Sequence, residues 1–262
     1  MKVSLALSGG AARGAFHLGV LSALEECGVE IGAISGTSIG SVIAVGYGSG
    51  LRPLEMLEIF KSKDFKKVLR FNYFKKGLLK IDEQASILQA FAPIQKLEAM
   101  VIPTFITCVD LLSGKIVRFS EGDAIKLSIA SSALVPIFRP VAYENYLLID
   151  GGFMDNLPTT PLQSFDNPIF GVDLHPLNTS KERHFLAMYF RSLFLAFIAS
   201  SQRQIEVCDL YITDSKLEGL SLFGFGDLDK CFELGYETGK AHILTYLSQT
   251  MYNNTYKSEG IR

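Results

Sequence analysis

Two rhythms of apolar and polar positions alternate along the chain. Lys2–Leu7 (KVSLAL) is a short β-like run that ends in glycines. Gly14–Gly28 (GAFHLGVLSALEECG) then places apolar residues at helical spacing and stops on a glycine. VEIGAIS is a second apolar run, and Ser38–Gly50 (SIGSVIAVGYGSG) reads as a helix frayed by glycines. Strand, glycine turn and helix, given twice in succession, predict the opening of a parallel α/β sheet.

The middle is less regular. Pro53–Ser62 and Ile81–Phe91 read as helices, with a basic, aromatic stretch, Phe65–Gly77, between them. Pro103–Ser120 predicts two strands joined by a Ser-Gly turn, and Gly122–Leu134 a helix. NYLLIDGG and PIFGVDLH are further strands, their continuous apolar runs suited to a sheet covered on both faces. A long helix at about Lys181–Glu206, a strand LYIT and a last helix near Leu228–Leu247 complete the pattern. The expected architecture is one three-layer α/β/α domain over residues 1–248 with a mostly parallel sheet. A polar tail, 249–262, is expected to fray.

Composition narrows the function classes. With 262 residues, 48% of them hydrophobic, the chain can bury a full core. A net charge of -2 supplies no global footprint for nucleic acid. The mean hydropathy of +0.25 hints at an apolar surface. Cys27, Cys108, Cys208 and Cys231 are far apart, which argues against a metal knuckle and for a reducing compartment. MKVSLAL is too short for a signal-peptide core, and Arg191 interrupts the most apolar window, Phe185–Ser200. The expectation is a soluble cytoplasmic protein, with peripheral membrane contact left open. Oligomeric state is not legible.

Both glycine turns carry candidate chemistry. Ser8–Gly14 (SGGAARG) lacks the Lys-Ser/Thr of a phosphate-cradling P-loop. It is a degraded dinucleotide fingerprint at best, through Gly9, Ala11 and Gly14, with Glu30 at the start rather than the end of the second strand. A third use is an oxyanion hole, where glycines let backbone N–H groups turn outward at a helix N-terminus. The second turn, Gly36–Gly40 (GTSIG), is G-x-S-x-G between strand and helix, the setting of a nucleophile elbow. Ser38 could instead only cap the following helix. Capping does not call for glycines on both sides at Gly36 and Gly40.

A serine nucleophile needs a base. His17, His184 and His242 fall in or near helices and carry no signal. His175 follows a strand, and Ser38, Asp150, His175 would give the chain order of α/β-hydrolases. Asp150 is the stronger candidate. It ends an apolar strand and precedes two glycines, so its carboxylate should emerge at the sheet edge that carries Ser38. An Asx turn is the plain alternative.

LSGGAARGAFHLGVL, GTSIGS and DGGFMDNLP together resemble the patatin-like phospholipases, which use a Ser-Asp dyad. Ala130–Val141 (ASSALVPIFRPV) is similar to the family segment before the aspartate. The motifs run in family order to about Pro158, beyond which the resemblance is less specific. The resemblance implies a patatin-like fold, Ser38 as nucleophile and Asp150 as proton acceptor. It makes the Gly9–Gly14 loop the oxyanion hole, through Gly9, Gly10, Ala11, Arg13 and Gly14, with Arg13 at the family's basic position. Pro136, Gly151 and Gly152 would shape the site. Ala11 departs from the family's third glycine and would be tolerated if its φ stays negative. The implied substrate is a lipid acyl ester, a phospholipid or lysophospholipid, cleaved through an acyl-enzyme without metal or organic cofactor. Candidate walls for the acyl groove are Phe65–Leu79 and Phe185–Ile198, the latter expected to be core helix first. The alternatives are a Ser-His-Asp esterase using His175, a nucleotide-binding protein, and a lipid-binding descendant without turnover.

Overall fold

The two opening βα units form where the periodicity predicts them: β1 (Lys2–Leu7), α1 (Ala15–Glu26), β2 (Glu30–Thr37) and α2 (Ile39–Gly48). The computed structural model describes residues 1–65, 86–176, 184–220 and 226–258. Most of the basic, aromatic stretch lies outside them. α3 (Pro53–Lys61) and α4 (Ser86–Phe91) precede a hairpin of β3 (Thr104–Asp110) and β4 (Lys115–Phe119). α5 (Ala124–Ser131) leads to a second hairpin, β5 (Val141–Tyr143) and β6 (Tyr146–Asp150). β7 (Ile169–Val172), α6 (Phe185–Ile205), β8 (Leu210–Ile212) and α7 (Leu228–Ser258) follow.

The sheet is mixed. β8, β7, β1, β2 and β3 are parallel in that spatial order, whereas β4 and β6 pair antiparallel with β3 and β5 antiparallel with β6. The pairing on β3 positions the site. β4 holds one edge of β3 over Ile106–Asp110. On the opposite edge, β2 pairs with Thr104–Thr107, ending at Thr37. β6 then takes over that edge from the other direction, with Asp150 opposite Cys108. The strands β2 and β6 therefore meet end to end. Asp150 reaches the Ser38 turn by a head-on approach, not from a parallel neighbour as the sequence suggested.

Side chains of β1 alternate between the two faces. Val3, Leu5 and Leu7 enter a cluster with residues of α1, α3 and α7, while Ala6 joins Ala33 and Ile169 on the other face. That second face is covered by Leu157 and Leu162 of short turns and by Ile205 at the end of α6. Two expectations change here. α7 continues to Ser258, because nothing from Ala241 to Ser258 is glycine or proline to stop it. α6 is not primarily a core helix: Phe185 is 83% and Met188 53% exposed. Phe194 and Phe197, on its other side, line a cavity.

Candidate active site

Ser38 sits between β2 and α2 with φ 54° and ψ −126°, a conformation that favours glycine. Such a residue costs roughly 1–3 kcal/mol and persists only where its surroundings over-determine it. They do so here. Ser131 Oγ accepts from the Ser38 amide at 2.9 Å and donates to the Thr107 carbonyl at 2.7 Å, tying the turn to β3. The Ser38 carbonyl accepts from the amides of Ser41 and Val42. The bracketing glycines let the chain pack on itself. A Cβ on Gly36 would meet the Gly40 carbonyl oxygen at 2.2 Å, and one on Gly40 the Leu7 carbonyl oxygen at 2.3 Å. Their role is close approach of α2 to β2 and β1.

The Ser38 hydroxyl makes no capping bond to α2. Its neighbour across the cavity wall is the carboxylate of Asp150, whose ionisation it favours. Asp150 is 1% exposed, and its Oδ1 also accepts from the Gly152 amide at 2.8 Å. Burial raises its pKa to about 7, against the opposing pull of the Gly152 amide and the nearby Ser38 hydroxyl. This environment makes the carboxylate a far better base than a solvated aspartate. Asp155, five residues on, is also buried but pairs with Arg118. Gly151 and Gly152 are required by contact: a Cβ on the first would lie 2.4 Å from the Thr107 carbonyl, and on the second 2.8 Å from the Phe197 ring.

The first glycine turn abuts the second, since a Cβ on Gly9 would sit 3.0 Å from Ser38 Cβ. Only part of the expected oxyanion loop faces the site. The residues beside Ser38 in the cavity are Gly10, Ala11 and Ala12. The Gly9 amide donates to Asn156 Oδ1 at 3.1 Å, so it is already engaged. The Arg13 guanidinium turns away, donating to the carbonyls of Leu174, Glu218 and Leu220, and its amide closes onto the Gly10 carbonyl. Gly14 packs against Ile39. Ala11 has φ 51°, so the condition of a negative φ fails and the loop holds a left-handed alanine, at a cost of about 1 kcal/mol. Pro136 follows a cis peptide bond and is itself exposed; Leu134 and Phe138 on either side of it line the cavity.

His175 is not brought to Ser38. It is buried, its Nδ1 lies 3.3 Å from Asn156 Nδ2 and 3.5 Å from Asp173 Oδ1, and its ring packs on Phe194. The carboxylate beside it belongs to Asp173, while Asp150 lies in the cavity with Ser38. His17 is fully buried, its Nε2 is 2.9 Å from the Ser8 carbonyl, and burial pulls its pKa to about 4. It is a neutral packing residue.

Sequence reasoning missed two polar residues here. Asn156 lies inside the quoted DGGFMDNLP and could have been found as the one amide side chain there; it joins the Gly9 turn to His175. Ser131 stands in a run of small residues that gave no signal for its bridge between Ser38 and β3. Among the described residues, no cluster of three or more His, Cys, Asp or Glu side chains could hold a metal ion.

Residues 5–162 match the family model described as patatin-like phospholipase. A lysophospholipase NTE1 of Mycosarcoma maydis is 30% identical over 203 residues, 70% of this chain and 10% of that protein. An uncharacterized NTE family protein of Mycobacterium tuberculosis is 33% identical over 164 residues, 62% of this chain and 45% of that one. The chain thus spans from a tenth to under half of these curated relatives. Among solved structures, VipD from Legionella pneumophila aligns with a TM-score of 0.49 at 14% identity, covering 93% of this chain and 67% of that one.

Proposed function

Since the chain belongs to the patatin-like phospholipase family, we propose that it is a serine lipid acyl hydrolase acting on carboxylic esters of phospholipids or lysophospholipids. The observation that carries this reading is that Ser38 and the buried carboxylate of Asp150 line one cavity, with burial raising the pKa of that carboxylate to about 7. Ser38 Oγ attacks the ester carbonyl carbon as Asp150 takes its proton. The resulting oxyanion is stabilised by backbone amides of Gly10, Ala11 and Ala12, an effect worth ~3 kcal/mol per donor. Collapse of the tetrahedral intermediate expels the alcohol, which receives the proton from Asp150, and leaves Ser38 acylated. Asp150 then removes a proton from water, whose oxygen attacks the acyl carbon; collapse breaks the bond from that carbon to Ser38 Oγ, which takes the proton back from Asp150 as the free acid leaves.

Labelling with a fluorophosphonate tests the reading. The adduct is expected on Ser38 in the wild type and lost in Ser38→Ala, as mapped by mass spectrometry. A label that persists on another serine in the alanine variant refutes it.

Peripheral contact with a lipid surface belongs to the same proposal. Phe185, Met188 and Leu195 are exposed along one stripe of α6, whose opposite side reaches the cavity through Phe194 and Phe197. Phe185→Ser/Met188→Ser is expected to weaken co-sedimentation with phospholipid vesicles about tenfold while leaving turnover of a water-soluble ester in place. Equal sedimentation of both proteins contradicts this part.

A further inference from the structure

The cavity at Ser38 is elongated and follows α2 away from the hydroxyl. Ser38, Ile39, Val42 and Val45 lie on one side of that helix and line it. Ile125, Ser128, Ile129 and Ser132 face them from α5. The helices run in opposite directions: Ser131, at the end of α5, bonds the amide of Ser38, while Val45 clusters with Ala124 and Leu127 near the start of α5. Ser38 to Val45 is a rise of about 10 Å at 1.5 Å per helical residue.

Among the described residues, three packed rings line the far end. Phe60 lies 4.7 Å from Phe65 and 5.0 Å from Phe91 between ring centroids, and all three rings are buried. Phe91 is wedged against α2 at Gly46, where a Cβ would come within 2.7 Å of its ring. Asp150, at the Ser38 end, is the one ionisable side chain among the described lining residues. The rest of the described lining suits an uncharged chain.

Length and volume agree on what fits. With C–C bonds of about 1.5 Å, an extended chain advances roughly 1.25 Å per carbon, so about eight carbons reach from Ser38 to the rings. The cavity encloses about 280 Å³. A cavity of about 150 Å³ holds the six carbons of benzene, so this one holds roughly eleven.

We propose that Phe60, Phe65 and Phe91 act as an acyl-length gauge, limiting the site to esters of medium-chain acids, roughly eight to eleven carbons. The proposal rests on the reading of Ser38 as nucleophile, and the rings are specificity-determining residues for that reaction. A longer chain would have to displace a ring packed on a helix backbone.

Two measurements test it. In the first, linear methyl ketones with hexyl to tetradecyl chains are bound to Ser38→Ala, which needs no turnover. Affinity is expected to rise about fourfold per added carbon and then level off once the rings are reached. A gain that continues through tetradecyl overturns the gauge. In the second, p-nitrophenyl esters from butanoate to hexadecanoate are compared in the wild type, Phe91→Leu and Val42→Phe. Phe91→Leu is expected to raise the tetradecanoate-to-octanoate ratio of kcat/KM at least about fivefold. Val42→Phe, which narrows the cavity midway, is expected to lower the octanoate-to-butanoate ratio about tenfold. Ratios unchanged in both folded variants overturn the gauge, and if Phe91→Leu fails to fold, Val42→Phe and the ketone series decide. If no ester turns over and Ser38 takes no label, the hydrolase reading fails, while the ketone series still decides the gauge.

Discussion

Asp150→Asn is expected to lower kcat/KM about 10³-fold and, at alkaline pH, to make the protein more stable than the wild type. The loss follows from removing the group proposed to accept the Ser38 proton. The stability gain follows from burial. The Asp150 pKa is raised from 3.8 to about 7 in the folded protein. Between those values the folded state holds a proton that the unfolded chain has released, so wild-type stability falls as pH rises through this window. Below pH 3.8 both states are protonated and the effect is absent; above about pH 7 the full cost is present. At about 1.4 kcal/mol per pKa unit, that cost is of order 4 kcal/mol. Asparagine keeps an acceptor for the Gly152 amide and carries no charge. Thermal unfolding at pH 5 and pH 8 should show the gap between variant and wild type widening with pH. A gap independent of pH rules this account out. In the proposed mechanism the same titration governs turnover. The deprotonated carboxylate is the active form, so wild-type kcat/KM should climb with pH and level off above about 7.

The second large effect comes from a single methyl group. Gly40→Ala lies within α2, where the exchange would ordinarily favour the helix by about 1 kcal/mol. Here the added Cβ would meet the Leu7 carbonyl oxygen at 2.3 Å and that of Ser8 at 2.7 Å. Both are backbone atoms of the adjoining β1 segment, so no side chain can swing aside. We expect a loss of about 3 kcal/mol and a melting temperature lower by roughly 10 °C. Ester turnover should fall as well, because the turn holding Ser38 must shift. A melting temperature equal to or above the wild type would show that α2 has room to move outward.

Much of the architecture was legible because β1, α1, β2 and α2 each carry a clean period with glycine punctuation. The Ser38 turn was readable because its glycines flank the serine between a strand and a helix. What failed to show is what depends on tertiary pairing. The apolar run of β6 looks the same whether its partner is parallel or antiparallel, so its head-on approach to β2 could not be read. β5, three residues long, is too short for any period. Phe185 and Met188 suggested burial by type, yet α6 leaves them in solvent. Which part of the Gly9–Gly14 loop faces the cavity could not be read either, because the Gly9 amide is engaged by Asn156, an interaction spanning 147 residues of sequence.

Where β2 and β6 both end, at Thr37 and Asp150, neither strand supplies the other's ladder; both are splinted by β3. The separation of the two functional oxygens is therefore set by how a third strand is strung, through Thr107 and Cys108, rather than by any direct backbone bond across the seam. A disturbance along that splint can shift the two side chains relative to each other while β2 keeps its pairing with β1 and β6 its pairing with β5.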